Sequence, residues 1–232
     1  MDIESMSGDR SALQRRARIH AALSDPARLA IADALWLGDA SPGEIACSLG
    51  LPSNLVAHHV KVLLDAGLVE RSRSEADRRR TYLRICHDTL GLLPPPRPPD
   101  AGRVVFVCTH NSARSQLAAA LWARRADRPA ASAGTRPARR VHPRAVRVAR
   151  RHGLRLDPTG TAHVDAVVTG DDLVIAVCNS AYEDLSGSVR PRLHWSVPDP
   201  ARIDTDAAFE SAYTDLAVRV DRFARAVTGG EP

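Results

Sequence analysis

Val104-Val105-Phe106-Val107-Cys108-Thr109-His110-Asn111-Ser112-Ala113-Arg114-Ser115 is the stretch that decides how the second half of this chain folds. Four apolar residues in succession read as a buried strand. From Ser115 the residues Gln116, Leu117, Ala118, Ala119, Ala120, Leu121 and Trp122 are good helix formers, with an apolar stripe at 117 and 121. A loop between a strand end and a helix start turns backbone N–H groups toward an anion and favours the thiolate of a cysteine placed there. Arg114 adds a planar fork suited to a tetrahedral oxyanion. The chemistry implied is a thiolate nucleophile at the start of a phosphate-shaped cradle.

Working outward, Leu92-Leu93-Pro94-Pro95-Pro96-Arg97-Pro98-Pro99-Asp100 places five prolines in nine residues, a stiff extended spacer. It divides a first domain, 1–91, from a second, 101–232, with 92–100 as linker. The chain of 232 residues is long enough for two modest cores. The formal charge of +5 is too small to argue for nucleic acid by itself, so local placement of charge must carry that case. Lys61 is the only lysine among the basic residues, which reflects genome composition more than recognition. The four cysteines (Cys47, Cys86, Cys108, Cys178) are widely spaced with no Cys-x-x-Cys, against a disulfide framework or zinc ribbon. With no apolar run of membrane-spanning length and no signal-peptide pattern at the N-terminus, the expected compartment is the cytoplasm, with no membrane partner.

The first domain opens with a helical pattern over Ser11–Leu23. Ser24-Asp25-Pro26 starts a second helix, whose expected apolar face is Leu29, Ala30, Ala34 and Leu35 through Trp36. Ser41 and Glu44 stand at capping-box spacing before a short helix that ends at Gly50. A longer helix begins at Pro52, with apolar positions 56, 60, 63 and 64, and stops at Ala66-Gly67. Leu68–Arg73 and Arg80–Ile85 read as two strands joined by a polar tip. This hairpin carries Arg71, Arg73, Arg78, Arg79, Arg80 and Arg84, enough charge to hold a phosphate backbone. The outline is a winged helix-turn-helix, mainly α with a β-hairpin wing.

Leu23-Ser24-Asp25-Pro26-Ala27-Arg28-Leu29, Glu44-Ile45-Ala46 before Leu49-Gly50-Leu51, His58-His59-Val60-Lys61-Val62-Leu63 and Ala66-Gly67-Leu68-Val69 together resemble the ArsR family of bacterial repressors. The resemblance implies a homodimer with one recognition helix per half-site of a double-stranded DNA operator. Ser53, Asn54, Ala57, His58 and Lys61 would face the groove, with Arg78, Arg79 and Arg80 on the wing. Arsenite-sensing members use clustered cysteines. Here Cys47 stands alone on the helix before the recognition helix and Cys86 follows the wing, so they are candidate metal ligands only, with none assigned. His58 and His59 point in different directions and cannot chelate as a pair.

The second domain resembles the low-molecular-weight protein tyrosine phosphatases and the arsenate reductases that share their fold, an α/β domain with a four-stranded parallel sheet. The signature Cys-x5-Arg-Ser stands as Cys108 to Ser115. The resemblance implies Cys108 as nucleophile and Arg114 as oxyanion binder, within a loop formed by Thr109, His110, Asn111, Ser112 and Ala113. Asn111 shapes that loop and Ser115 supports the thiolate. Ser132-Ala133-Gly134-Thr135 matches a second strand end, whose serine braces the asparagine. His142-Pro143 opens a helix to Arg151. Asp172–Val177 reads as a third strand ending at Cys178, and Leu193–Val197 as a fourth before Pro198-Asp199-Pro200, where the resemblance makes Asp199 the general acid. The last helix, 206–227, shows a core stripe of Phe209, Tyr213, Leu216, Val220, Phe223 and Val227.

Two departures bear on the chemistry. Thioredoxin-coupled reductases carry a second cysteine where this chain has Ala113, and a later pair of which only Cys178 is present, Leu185 standing at the other position. Phosphatases place tyrosines after the Asp-Pro, where this chain has Ala201-Arg202, and Trp195 ahead of it looks more like the reductase branch. A reductase resolved by an external thiol needs only Cys108 and no bound cofactor, with Cys178 a candidate resolving thiol. The expectation is a transcriptional repressor fused to a thiolate domain acting on arsenate or phosphate esters. Two alternatives stand beside it: a non-catalytic oxyanion-binding sensor that controls the repressor, and an arsenite-sensing repressor using Cys47 or Cys86.

Overall fold

The computed structural model describes residues 3–86, 96, 98–185 and 192–228. Most of the proline-rich spacer, 92–95 and 97, lies outside the described residues. The chain forms two compact units, Met1–Arg73 with Arg79–Pro96 and Ser74–Arg78 with Arg97–Pro232.

The first unit holds α1 (Ile3–Leu23), α2 (Pro26–Leu37), α3 (Pro42–Leu49), α4 (Ser53–Asp65), β1 (Val69–Arg73) and β2 (Thr81–Ile85). Asp25 caps α2 by accepting from the Arg28 N–H at 3.0 Å, with Pro26 at the first helical position. The capping box before α3 is complete, Glu44 N–H to Ser41 Oγ at 3.3 Å and Ser41 N–H to Glu44 Oε2 at 2.7 Å. Gly50 ends that helix at φ +63°, a left-handed position that favours glycine. β1 and β2 pair antiparallel, Val69 opposite Ile85 and Arg73 opposite Thr81. One expectation fails in detail: α2 buries Ile31, Ala32, Leu35 and Trp36, whereas Leu29 is exposed. The helical period through Trp36 fits either stripe, and the one carrying Ile31 removes more apolar surface from water.

The second unit holds β3 (Arg103–Cys108), α5 (Arg114–Trp122), β4 (Ala130–Gly134), α6 (Pro143–Arg151), α7 (Val164–Val167), β5 (Asp172–Ala176), α8 (Asn179–Asp184), β6 (Arg192–His194), α9 (Pro200–Ile203) and α10 (Asp206–Thr228). The four strands run parallel in the order β4-β3-β5-β6. The chain leaves β3 toward β4 on one side and leaves β5 toward β6 on the other, so the strand order reverses between β3 and β5. The crevice at the C-terminal ends of two such strands is where open α/β sheets place their ligands. Cys108 ends β3, and Cys178 lies two residues beyond β5.

β3 is fully buried from Val104 to Cys108, as its unbroken apolar run requires. Phe106 meets Trp122 and Trp195 at ring-centroid distances of 6.1 and 5.8 Å, and Phe223 of α10 meets the same two tryptophans. Trp195 is therefore part of the core. Of the stripe expected on α10, Phe209, Leu216, Val220 and Phe223 are buried, while Tyr213 and Val227 are partly buried. The fourth strand is shorter than Leu193–Val197. Val197 N–H turns back to the Trp195 carbonyl at 2.9 Å, which ends the extended run and carries the chain toward Asp199. At the opposite end of the sheet from Cys108, Arg103 grips its register partner Asp172 with two bonds, at 2.9 and 2.7 Å.

Candidate active site

The loop between β3 and α5 is held from two sides. Its carbonyls are taken up by the segment after β4: Thr135 N–H donates to Cys108 O at 3.2 Å, Arg136 to Thr109 O at 2.8 Å, Ala138 to His110 O at 2.9 Å and His142 to Ser112 O at 2.8 Å. With those C=O groups fixed outward, the following N–H groups have only the opposite side to face, which is the arrangement an anion needs. Gly134 permits the close approach. A Cβ there would lie 2.9 Å from both Asn111 N and Thr109 O.

Asn111 is the internal brace. It sits at φ 49°, a left-handed conformation that asparagine tolerates better than most residues. Its Nδ2 donates to Ser115 Oγ at 2.9 Å and to Ser132 Oγ at 3.0 Å, and its Oδ1 accepts from Ala162 N–H at 2.9 Å. Because the Ser115 oxygen already accepts from Asn111, its hydroxyl proton is available to Cys108 Sγ, 3.1 Å away. The expected brace by Ser132 and the expected neighbour of the thiolate, Ser115, are both where the sequence places them.

Arg114 opens α5 and is buried, with Nη1 donating to Val197 O at 3.0 Å and Nη2 3.1 Å from Asp199 Oδ2. Burial alone would lower its pKa, but the negative charge that Cys178, Cys108 and Asp199 can carry outweighs this and raises it. Asp199 caps α9, accepting from Ala201 N–H at 3.1 Å through Oδ1. Cys178 caps α8 in the same manner, Sγ accepting from Ala181 N–H at 3.4 Å, and lies 3.5 Å from Thr109 Oγ1. Burial pushes the Cys178 thiol up in pKa against the opposing pull of Arg114. The structure thus brings Cys108, Thr109, Asn111, Arg114, Ser115, Ser132, Cys178 and Asp199 together. Ala113 is buried in front of α5, Ser112 is half-buried, and His110 is exposed.

Sequence reasoning did not single out four contributors. Gly134 appeared only inside a strand-end match. Gln116 Nε2 donates to Gly160 O at 2.7 Å, and the neighbouring Ala162 supplies its N–H to Asn111 and its carbonyl to Gly134 N–H. His142 was read only as a helix start. Backbone atoms from a distant loop leave no residue-type signal, whereas Gly134 could have been found as a small residue at a strand end facing a tight loop.

In the first unit, Ser53, Asn54, Ala57, His58 and Lys61 are all exposed on α4, while Val56, His59, Val60 and Leu63 are buried. His59 faces inward, its Nδ1 3.8 Å from Asp25 Oδ1, so the adjacent histidines diverge as expected. Arg78, Arg79 and Arg80 are exposed. Cys47 is exposed on α3 and Cys86 is partly buried after β2. Among the described residues no group of three or more His, Cys, Asp or Glu is gathered as a metal site, and no helix is long and apolar enough to cross a membrane.

Known proteins similar to this chain match its second half. The chain is 30% identical over 132 residues to an arsenate reductase of Bacillus licheniformis, spanning 52% of this chain and 94% of that protein. It is 27% identical over 128 residues to an arsenate reductase of Bacillus cereus, spanning 53% and 93%. Among solved structures, an arsenate reductase from Archaeoglobus fulgidus matches at 30% identity and TM-score 0.45, covering 52% of this chain and 98% of that one. The tyrosine phosphatase Wzb of Escherichia coli K30 matches at 26% identity and TM-score 0.49, covering 54% and 98%. A helix-turn-helix domain model matches residues 23–72. Residues 103–230, more than half of the chain, match the model for low molecular weight phosphotyrosine protein phosphatase, and the chain belongs to that family, with a helix-turn-helix domain ahead of it.

Proposed function

We propose that this chain is a DNA-binding regulator of ArsR type whose second unit performs thiolate chemistry on a tetrahedral oxyanion, with arsenate the favoured substrate and phosphate monoesters sharing the first step. The observation that carries the reading is Cys108 Sγ held 3.1 Å from Ser115 Oγ in a loop closed by the Arg114–Asp199 pair, itself 3.1 Å apart. Arg114 and the loop N–H groups bind the oxyanion. The Cys108 thiolate forms a bond to arsenic or phosphorus as the bond to the departing oxygen breaks, and Asp199 gives that oxygen its proton.

With a phosphate ester, water then cleaves the sulfur–phosphorus bond. With arsenate, a low-molecular-weight thiol attacks the Cys108 sulfur. The sulfur–arsenic bond breaks with its electron pair left on arsenic, arsenite departs, and a mixed disulfide remains that a second thiol reduces. Two thiols thus supply the two electrons. Cys178, beside Thr109, is the thiol of this chain that could take the external one's part.

Relatives that are arsenate reductases, a loop rim without tyrosines after Asp199, and exposed Ala201-Arg202 support arsenate over an aryl phosphate. The exposed face of α4 and the arginines Arg78, Arg79 and Arg80 support binding to a double-stranded operator, and the homodimer rests on the resemblance to ArsR repressors alone. Single-turnover assays with arsenate plus thiol and with p-nitrophenyl phosphate test the chemistry. Cys108→Ser is expected to abolish both, and activity that survives removes Cys108 from the mechanism. Operator release by arsenate or phosphate without turnover, lost in Arg114→Ala, would mark the second unit as a sensor instead.

A further inference from the structure

His142 joins the oxyanion loop, the start of α6 and the far end of α9. Its backbone N–H holds Ser112 O of the oxyanion loop at 2.8 Å. Its Nδ1 accepts from Arg144 N–H at 3.3 Å and so caps α6. Its Nε2 lies 3.5 Å from Asp204 Oδ1, and its ring stacks on Phe209 at 4.7 Å between centroids. Asp204 closes α9 at φ 51°, and Asp199 opens it. The four-residue α9 is thus a short rod with the carboxylate facing Arg114 at one end and a residue in contact with His142 and Arg144 at the other.

From this placement we infer that His142 is a positioning residue: it fixes the distance between the oxyanion loop and Asp199 by holding Ser112 through its backbone and Asp204 through its ring. The inference rests on Asp199 being the acid of the proposed reaction. A loop and an acid that come from separate segments need a common anchor if the leaving oxygen is to meet the proton within hydrogen-bond reach. α9 is also held by Arg114 at its Asp199 end, where the Asp199 N–H donates to Glu75 Oε2 at 3.0 Å, by Arg144 on Asp204 and by packing against α10, so His142 is a tie between its far end and the loop.

His142→Asn separates this role from simple stability. Asparagine caps a helix well and retains the backbone N–H to Ser112, so α6 and the loop are preserved while the contact with Asp204 and the stacking on Phe209 are lost. The test compares phenyl phosphate, whose leaving group needs a proton, with p-nitrophenyl phosphate, whose leaving group needs it far less. The expected result is about a 10-fold larger loss of kcat/KM on phenyl phosphate than on p-nitrophenyl phosphate, with competitive inhibition by inorganic phosphate changed by no more than about 2-fold. Asp204→Asn, which tolerates the left-handed backbone, should give the same imbalance, and His142→Asn should add none in an Asp199→Asn background. Equal losses on both esters, or none, overturn the inference. If the wild type turns over neither ester nor arsenate with thiol, the acid reading itself fails. Where neither ester is hydrolysed, the anchoring is decided by amide hydrogen exchange over 197–204, which His142→Asn should speed by about 10-fold, and unchanged exchange there refutes it.

Discussion

Gly134→Ala is the sharpest probe of how the oxyanion loop is built. Gly134 has no positive φ, so alanine meets no backbone strain there, and the substitution taken alone would stabilise by about 0.4–1 kcal/mol through the unfolded chain. The added methyl group opposes this. It falls 2.9 Å from Asn111 N and Thr109 O and 3.0 Å from Asn111 Cβ. The first two are backbone atoms of the loop itself, so no flexible side chain can yield. Reaching ordinary contact requires the loop to move by about 0.5 Å, with overpacking that costs about 1–3 kcal/mol. The net expectation is a destabilisation of about 1–2 kcal/mol in urea unfolding. Because a misplacement of about 1 Å near reacting groups costs of order 100-fold, turnover should fall by about 10- to 100-fold. The measurements are urea unfolding and equilibrium binding of inorganic phosphate, side by side with the single-turnover assay. A variant with wild-type phosphate affinity and turnover would show that the loop does not depend on this close approach.

Other perturbations test separate parts. Asp199→Asn keeps the cap on α9 but removes the charge beside Arg114. Turnover of phenyl phosphate should fall by about 100- to 10,000-fold while inorganic phosphate binds at least as tightly, and weaker phosphate binding would contradict the pairing. The Arg103 guanidinium holds the Asp172 carboxyl down to about 2. A carboxylate with a depressed folded-state pKa stabilises the fold above its unfolded value near 3.8, and that contribution is lost as the pH falls toward 2. Arg103 is one-third exposed, so screening limits the contribution to about 1–2 kcal/mol. Asp172→Asn should therefore flatten the acid limb of the stability curve between pH 4 and 2, and an unchanged limb would refute the assignment. Burial raises the Cys178 thiol, so at neutral pH iodoacetamide should label exposed Cys47 well before Cys178, and early labelling of Cys178 in the folded protein would show its burial to be misread.

The sequence made much of this readable because the signals were local. Val104–Val107 could only be a buried strand, and the cysteine, arginine and serine after it fell at a spacing that one loop and one helix turn impose. The capping box at Ser41 and Glu44 was equally local. What stayed hidden depends on backbone atoms meeting across the fold. Ala162 serves Asn111 through its N–H, which any residue but proline would offer. The stop of β6 at His194 comes from a backbone turn at Val197 inside a run that still looks like a strand. Leu29 against Ile31 was a choice between two helical faces of similar apolar content, and only tertiary packing decides it.

The four loop carbonyls held by the 135–142 segment have one more consequence, for the thermodynamics of binding. A loop that must order itself around an anion gives back part of the interaction as lost conformational freedom. Here that freedom is already gone when the chain folds, since Cys108, Thr109, His110 and Ser112 each have their peptide oriented by a partner from another part of the domain. An arriving oxyanion displaces water and meets dipoles already aligned, so its binding should be enthalpically favourable with little ordering of the protein. The same wiring makes the cradle inseparable from the domain: a peptide copied from residues 104–122 would carry every reactive side chain of the loop and helix and bind nothing.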